Sequence, residues 1–170
     1  MLVFNGVELI VPNHVSVQVA GDACPSGLGS WNPDTLEYFS QKFPHDLMHY
    51  PIHIKEFICV ILAVKLWGDQ WRGKRCVIFC DNDAVCEVIT NQKAKDAAMQ
   101  TFLREFLYHA CKLNFMPVVS KIGTKENDIA DFLSRNYDSD DASKFFYKVN
   151  IPALRKIELS NDLFELQADW

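Results

Sequence analysis

The stretch VSVQVAGDACPSGLGSW, residues 15–31, carries the strongest indication of the fold. Its first five residues alternate apolar and polar side chains, which is the two-residue period of a β-strand. Gly27 and Gly29 allow a turn and a second strand, and LEYFSQKF at 36–43 has the composition of a third strand. Because only short joints separate them, the three strands are predicted to form an antiparallel meander.

Strands and helices alternate after this meander. Pro51 is suited to the start of a helix, where a missing amide hydrogen costs nothing. The patterns predict a helix over 51–67, a strand over 76–80, helices over 83–90 and 96–113, a strand over 115–120 and a last helix from Thr124, as its cap, to Arg135. The order β-β-β-α-β-α-α-β-α predicts an α/β fold with a mixed five-stranded sheet and helices on both faces.

Composition limits the classes of protein to which the chain can belong. Of its 170 residues, 49% are hydrophobic, so we expect a single domain with its own core. The 22 acidic residues outnumber the 17 basic ones, which gives a net charge of −5. Nucleic acid is therefore not expected to bind through overall charge, and any such contact must be local or involve a neighbouring domain.

Nothing in the sequence predicts a membrane span or export. The longest apolar run, FICVILAV at 57–64, is far shorter than the ~20 residues of a membrane-spanning helix. The first residues, MLVFNGVELIVP, lack the basic start of a signal peptide. The six cysteines include no CxxC pair and fall mostly in apolar runs, which favours buried, reduced thiols over disulfides or a zinc site. We expect an intracellular protein, nuclear or cytoplasmic, without a membrane partner.

Asp22 and Glu56 are the first two carboxylates of interest. Asp22 follows the alternating strand and is flanked by small residues that leave room beside it, although an ordinary turn aspartate is the alternative. Glu56 shares the apolar face of the first predicted helix. A carboxylate there is costly unless it is paired or binds a metal. The alternative for Glu56 is an exposed first turn, which the helix dipole favours.

Asp81 and Asp131 are the other two. Asp81 follows the strand CVIFC, and ligands gather at the carboxyl ends of strands in such sheets. The alternative for Asp81 is to cap the next helix, a role that Asp83 could also take. Asp131 lies on the last predicted helix, in KENDIADFLSR, one turn after Asn127, and its alternative is a solvated helix acid.

Together, the four carboxylates predict a metal site. Four acids that share a site repel one another strongly unless cations neutralise them. Oxygen ligands suit Mg²⁺ or Mn²⁺. Two such ions, ~3.5–4 Å apart, can activate a water and stabilise the leaving oxygen of a phosphodiester.

The element order and the motifs GDACPSGLG, IKEFICVILAVKLWG, CVIFCDNDAV and NDIADFLSR resemble the ribonuclease H domain of retroelement reverse transcriptases, most nearly that of DIRS-type, tyrosine-recombinase retrotransposons. The resemblance covers roughly residues 5–135. It implies an RNase H-like fold, hydrolysis of the RNA strand of RNA/DNA hybrids, and a polymerase domain in the same or a partner chain. It also divides the chain into a connection-segment remnant (1–14, with the NG at 5–6), the RNase H-like domain (15–135), and an acidic linker with a tail (136–170).

The same resemblance assigns roles to the four acids. It implies that Asp22 bridges two Mg²⁺ ions, for which Mn²⁺ can substitute, that Glu56 and Asp81 help to hold one ion, and that Asp131 helps to hold the other. Asp128 is the alternative to Asp131.

Further residues are candidates for contact with the substrate. Asn127 matches the family's asparagine before the last acid, and Asn82 follows Asp81 directly. Where the family often has a histidine about ten residues before the last acid, this chain has Lys121. Lysine can bind a phosphate but is a poor proton shuttle near neutral pH, so we expect slower turnover rather than inactivity.

The chain also lacks a basic helical handle, because only 91–95 separates the relevant helices. Weak affinity of the isolated domain for a hybrid is therefore expected. The remaining basic cluster, Arg72, Lys74 and Arg75, is either a solvated turn or a phosphate contact.

Two other functions compete with hybrid hydrolysis: a non-catalytic RNase H-like module that binds nucleic acid or protein, and a nuclease of this fold that acts on DNA. The presence of all four acids argues against the non-catalytic module. The position of the fourth acid, Asp131, on the last helix after Asn127 argues against the DNA nuclease. The tail, 136–170, is expected to pack on the domain, on a partner or on a further domain.

Overall fold

The computed structural model describes residues 2–4, 7–9, 16–139 and 142–166. The strands are β1 (Leu2–Phe4), β2 (Val7–Leu9), β3 (Ser16–Ala23), β4 (Gly27–Asn32), β5 (Glu37–Lys42), β6 (Arg75–Cys80), β7 (Met116–Lys121) and β8 (Arg155–Lys156). The α-helices are α1 (Ile52–Trp67), α2 (Asp83–Asn91), α3 (Ala97–Leu113), α4 (Asp128–Arg135) and α5 (Ser143–Lys148). Short 3₁₀ helices cover His45–Leu47, Gly68–Trp71 and Asn161–Phe164.

One mixed sheet, in the order β7-β6-β3-β4-β5-β8, organises the fold. β3, β4 and β5 form the antiparallel meander, while β6 is parallel to β3 and β7 is parallel to β6. The predicted α/β architecture is confirmed, and its five strands are neighbours in the sheet. The prediction missed β8, a two-residue strand that adds in parallel to the edge of β5. β1 and β2 pair in a separate antiparallel sheet, and the dipeptide at 5–6 lies outside the described residues.

Helices cover both faces of the sheet, as predicted. Early in β3, Val17 and Val19 are buried while the intervening polar side chains are exposed, and every residue from Ala20 onward is buried. A Cβ on Gly29 of β4 would lie 2.5 Å from the Cβ of Leu133 in α4. A larger residue than glycine would therefore push α4 away from that face.

The main core lies on the opposite face, between the sheet and α1. Twelve of the sixteen residues of α1 are buried, among them Trp67, which stacks on Phe39 of β5 with 5.5 Å between ring centroids. None of the helices in the described part of the chain is long and apolar enough to cross a membrane.

One helix start differs from the prediction, and α2, which begins at Asp83 as predicted, is capped by a different residue. The last helix begins at Asp128 rather than at Thr124, because residues 124–126 form a turn in which the amide of Gly123 donates to a carboxylate oxygen of Glu126 at 2.8 Å. At α2, neither Asp81 nor Asp83 caps the helix. Asn82 does, since its Oδ1 accepts from the first free amides of α2.

The described part of the C-terminal segment packs on the domain, the first of the three alternatives for it. Phe146 of α5 is buried against Tyr38 of β5, with 5.3 Å between ring centroids, and Phe145 stacks on Phe132 of α4 at 3.8 Å. Further on, Leu159 joins the main core. The segment thereby covers the β5 edge and the outer side of α4.

A buried ionic network, which we call the Lys65 network, joins α1, α3 and this segment. It consists of Lys65, Glu105 and His109, whose side chains are no more than 6% exposed. Oε1 of Glu105 lies 2.7 Å from Nζ of Lys65 and 3.0 Å from Nε2 of His109. Nζ of Lys65 also donates to the carbonyl of Glu165 at 2.6 Å. Burial lowers the pKa of His109, so this histidine is neutral at pH 7 and the ion pair is that of Lys65 and Glu105.

Candidate active site

The pairing of β3 with β6 brings two of the predicted acids to the same end of the sheet. Ala20 is the partner of Phe79 in this parallel pairing. Asp22 and Asp81 are each two residues further along, where β6 ends. They therefore lie side by side at the carboxyl end of β6, as the position of Asp81 after its strand predicted.

Glu56 reaches the same place from α1. It is only 9% exposed, and its Oε2 is buried without a hydrogen-bond partner among the described residues. Burial raises the pKa of Glu56 to about 8; a hydrogen bond with the side chain of Asn82 opposes this rise, and the carboxylates of Asp22 and Asp81 add to it. An exposed first-turn position for Glu56 is thus excluded.

Asp22 is the most enclosed of the four acids, at 6% exposure. The hydroxyl of Ser134, on α4, donates to its Oδ2 at 2.9 Å. Burial raises the pKa of Asp22 to about 6; the Ser134 hydrogen bond opposes the rise, and the charges of Asp81 and Asp131 add to it. Asp22 therefore interacts with acids from both neighbouring elements.

Asp131 lies at the edge of the group and is paired. The Nε of Arg135, one turn further along α4, donates to its Oδ1 at 2.7 Å, and the Asp131 side chain is 32% exposed. Asp128, in contrast, is exposed at the first position of α4. Because the charge of Asp131 acts on Asp22 and Asp128 is exposed, Asp131 is the better candidate for the fourth member. We call Asp22, Glu56, Asp81 and Asp131 the acid cluster.

The acid cluster has the chemistry of a cation site. Glu56, Asp81 and the thiol of Cys80 each offer a ligand atom, and these atoms lie within 4.8 Å of one another. The charges that act most strongly on Asp22 and Glu56 are those of other acids, and Glu56 keeps a buried oxygen without a partner. A divalent cation would satisfy that oxygen and relieve the repulsion, so these residues fit one.

The two candidate asparagines hold the surrounding backbone. Asn82 caps α2 and hydrogen-bonds to Glu56. Asn127 is 2% exposed, and its Nδ2 donates to the carbonyl of Gly21 at 3.3 Å, which ties the start of α4 to β3 beside Asp22. Its Oδ1 is buried without a partner among the described residues. Contact of either side chain with a substrate stays a prediction.

The basic candidates fall into two groups: Lys121 lies beside the end of β6, where it is the sheet partner of Cys80, and the other three lie near the start of that strand. Lys121 ends β7 and forms an exposed ion pair with Asp83 at the start of α2. This pairing raises the pKa of Lys121, which makes it a still poorer proton shuttle. Arg72, Lys74 and Arg75 lie before and at the start of β6, whereas Asp81 follows its end. At ~3.3 Å per residue, the six steps from Arg75 to Asp81 separate this basic cluster from Asp81 by roughly 20 Å. Phosphate contact by this basic cluster stays a prediction.

Sequence reasoning missed two residues of this region. Cys80 was interpreted only as a buried strand thiol, although its position directly before Asp81 indicated nearness to the acids. Ser134 lies three residues after Asp131, hence on the same face of α4. That spacing was readable, but its hydrogen bond to Asp22 depends on how α4 packs on β3.

Comparison with known proteins agrees with this geometry. A family model described as the RNase H-like domain found in reverse transcriptase matches residues 16–109, more than half of the chain. Asp22, Glu56 and Asp81 lie inside the matched range and Asp131 lies beyond it. No curated protein matches the sequence.

Solved structures of low sequence identity share the fold. RNase H1 of the archaeon Halobacterium salinarum NRC-1 aligns with a TM-score of 0.56 at 15% identity, over 75% of this chain and all of that one. The N-terminal RNase H domain of a Mycobacterium tuberculosis protein gives 0.57 at 16% identity, over 73% of this chain and 94% of that one. LC11-RNase H1, isolated from compost by a metagenomic approach, was solved in complex with an RNA/DNA hybrid. That structure aligns with a TM-score of 0.55 at 13% identity, over 69% of this chain and 91% of that one. With the family match, these likenesses lead to one conclusion: the chain belongs to the family of RNase H-like domains found in reverse transcriptases.

Proposed function

We propose that this chain is a metal-dependent endonuclease that hydrolyses the RNA strand of RNA/DNA hybrids. The observation that carries the proposal is the convergence of four carboxylates at one end of the sheet, one of them with a buried, unpartnered oxygen. An arrangement of this kind is unfavourable in a protein that binds no cation. Family membership supports the same chemistry.

Two Mg²⁺ ions, or Mn²⁺ in their place, would supply an activated water and charge stabilisation for the leaving oxygen. The residues of this chain would hold them. Glu56 and Asp81 lie close enough together to share one ion, and the charge of Asp131 acts on Asp22. In this proposal Asp22, beside Asp81, would contact both ions.

The residues around the acid cluster would orient it. Ser134 fixes one oxygen of Asp22. The backbone tie from Asn127 to Gly21 keeps α4, and with it Asp131, against β3. Arg135 holds Asp131 through an exposed pair that a cation would replace at little cost.

The substrate class and context are proposals as well. LC11-RNase H1, of the same fold, is in complex with an RNA/DNA hybrid, which supports the hybrid as substrate here. The family description supports a polymerase domain as partner, in the same chain or another. We further propose that the chain is part, or a relic, of a retrotransposon reverse transcriptase of the DIRS type. The net charge of −5 would make hybrid binding by this domain alone weak.

The test is hydrolysis of a labelled RNA/DNA hybrid by the purified chain, in Mg²⁺ and then in Mn²⁺. We expect cleavage of the RNA strand only, and its loss on chelation. Asp81→Asn should lower the rate by about 10³-fold, since a bound ion contributes several kcal/mol to the transition state.

The acids of α4 provide a matched pair of variants. Asp131→Asn should abolish cleavage, whereas Asp128→Asn, three residues away and exposed, should leave it unchanged. Equal activity of Asp81→Asn and the parent protein would overturn the site. Cation binding without cleavage, even with an added basic hybrid-binding domain, would instead identify a non-catalytic module. Cleavage of duplex DNA would identify a DNA nuclease.

A further inference from the structure

A cysteine, Cys80, lies beside Glu56 and Asp81, and its sulfur is a further potential metal ligand. Cys80 is the last residue of β6 and is 1% exposed. Its Sγ lies within 4.8 Å of a carboxylate oxygen of Glu56 and of Asp81. A thiol is a poor ligand for Mg²⁺, which prefers oxygen, but a strong one for Zn²⁺ or Cd²⁺ once its proton leaves.

The carboxylates beside this thiol are set up for a cation. Oε2 of Glu56 is buried, lacks a partner among the described residues and belongs to a side chain that is nine-tenths buried. Asp81 is only half-buried and leaves a route from solvent. Two carboxylate oxygens and one thiolate, with a water in the fourth position, make a tetrahedral set that suits zinc.

We propose that Glu56, Cys80 and Asp81 form a site for a thiophilic divalent cation, Zn²⁺ or Cd²⁺, which displaces Mg²⁺ and stops hydrolysis. Binding forms a metal–sulfur bond and releases the thiol proton to solvent, with no change of oxidation state. The inhibition rests on the proposed function, but the binding does not. The same two carboxylates cannot serve a Zn²⁺ ion bonded to Cys80 and a Mg²⁺ ion at once.

Cys86 is the neighbouring thiol. It donates a hydrogen bond to the carbonyl of Cys80 at 3.7 Å and lines an open cleft with Asp83, Glu87 and Lys121. Cys86 is therefore the other thiol that a soft cation could reach, and the experiment must distinguish it from Cys80.

The experiment titrates the full chain with Cd²⁺ alone, without substrate, and follows the ultraviolet charge-transfer band of a cadmium–thiolate bond. The exposed Cys111 is first replaced, Cys111→Ser, to remove an accessible thiol outside the site. We expect one Cd²⁺ per chain, with an apparent Kd that rises as Mg²⁺ is added. Asp81→Asn should raise that Kd by about tenfold or more, as the loss of a ligand requires.

Two buried cysteines of β6 provide the matched control. Cys80→Ser should remove the band, whereas Cys76→Ser, four residues earlier on the same strand and equally buried, should keep it. Far-ultraviolet circular dichroism tests whether both variants fold. If Cys80→Ser does not fold, Cys80→Ala is used in its place. Absence of a band in the parent, its persistence without Cys80, or its loss in Cys86→Ser with Cys80 present would overturn the proposal. A clear band in a protein without nuclease activity would support the metal site and reject the nuclease.

Discussion

The acid cluster and the Lys65 network both bury ionisable groups, and they differ in the partners that these groups have. In the Lys65 network, Glu105 lies within 3.0 Å of both Lys65 and His109. In the acid cluster, Glu56 keeps an unpartnered buried oxygen, and the neighbouring charges that raise its pKa are also acidic. Burial removes water from the polar atoms of both regions. Only in the Lys65 network do other protein groups replace the lost hydrogen bonds and charge interactions. Buried charge with partners indicates architecture, and buried charge without partners indicates a ligand site.

The largest expected difference in the free energy of unfolding is between two variants that each remove one charge, Lys65→Met and Asp81→Asn. Lys65→Met leaves Glu105 buried without its cation and should lower the free energy of unfolding by about 3–5 kcal/mol. Asp81→Asn removes repulsion and should not lower it at all, although it abolishes the proposed activity. Urea unfolding at pH 7.5 with chelator measures both.

Lys93→Met is the control for Lys65→Met, because Lys93 is exposed in the joint between α2 and α3. It should change stability by less than about 0.5 kcal/mol. If Lys65→Met were as mild, the Lys65 network would not be the structural counterpart of the acid cluster.

The next effect is a dependence of stability on pH to which the two regions contribute with opposite signs. The lowered pKa of His109 makes stability rise with pH up to about 6.5, whereas the raised pKa values of the acid cluster make it fall. The folded pKa of Glu56, about 8, lies above its usual value of 4.5, and that of Asp22, about 6, lies above 3.8. At these two carboxyl groups the folded state therefore holds more protons than the unfolded state between roughly pH 4 and 8. By linkage, their contribution to stability without metal falls as pH rises through this range and levels off above pH 8. Allowing for solvent screening, we expect these groups to account for a loss of about 1–3 kcal/mol.

Two comparisons isolate the source of this slope. Glu56→Gln should flatten the fall of stability above about pH 7, where Asp22 is mostly ionised. Saturating Mg²⁺ at pH 8 should restore stability to the parent protein but not to Asp81→Asn, since a ligand stabilises only the state that binds it. Urea midpoints recorded from pH 4 to 9 provide the measurement. A stability that rises from pH 7 to 8 without metal would contradict the assignment.

The same contrast explains what the sequence could and could not predict. A carboxylate on an apolar helix face is a local anomaly, so the burial of Glu56 was predictable from spacing alone. Glu105 and His109 lie one turn apart on α3, a spacing at which side chains meet, but nothing local indicates that Lys65 of α1 joins them. The start of α4 was misplaced because the Glu126 side chain closes the preceding turn, and β8 was missed because two residues carry no period. Periodicity predicts the elements, whereas pairing between distant elements depends on packing.

A smaller effect concerns the hydroxyl that orients Asp22. Ser134→Ala removes a hydrogen bond that lowers the pKa of Asp22, so that pKa should rise further. The acid limb of the pH–rate profile should shift to higher pH, and the rate at pH 7 should fall by about tenfold. Ser134→Thr should restore both, and Ser160→Ala, at an exposed serine, should change neither. A slower enzyme with an unshifted profile would mean that Ser134 acts only through packing.

The smallest expected change in stability concerns the ion pair of Lys121 and Asp83, which is exposed to solvent, unlike the acid cluster and the Lys65 network. Lys121 and Asp83 are 55% and 80% exposed, so Lys121→His should change the free energy of unfolding by less than about 1 kcal/mol. Because an imidazole titrates near neutral pH and the paired lysine does not, multiple-turnover hydrolysis should become a few-fold faster. Lys121→Gln is the control, since it breaks the pair without adding a proton carrier and should give no gain. If both variants were equally fast, release of Asp83 rather than proton transfer would be the cause. If neither were faster, the lysine would not be what limits turnover.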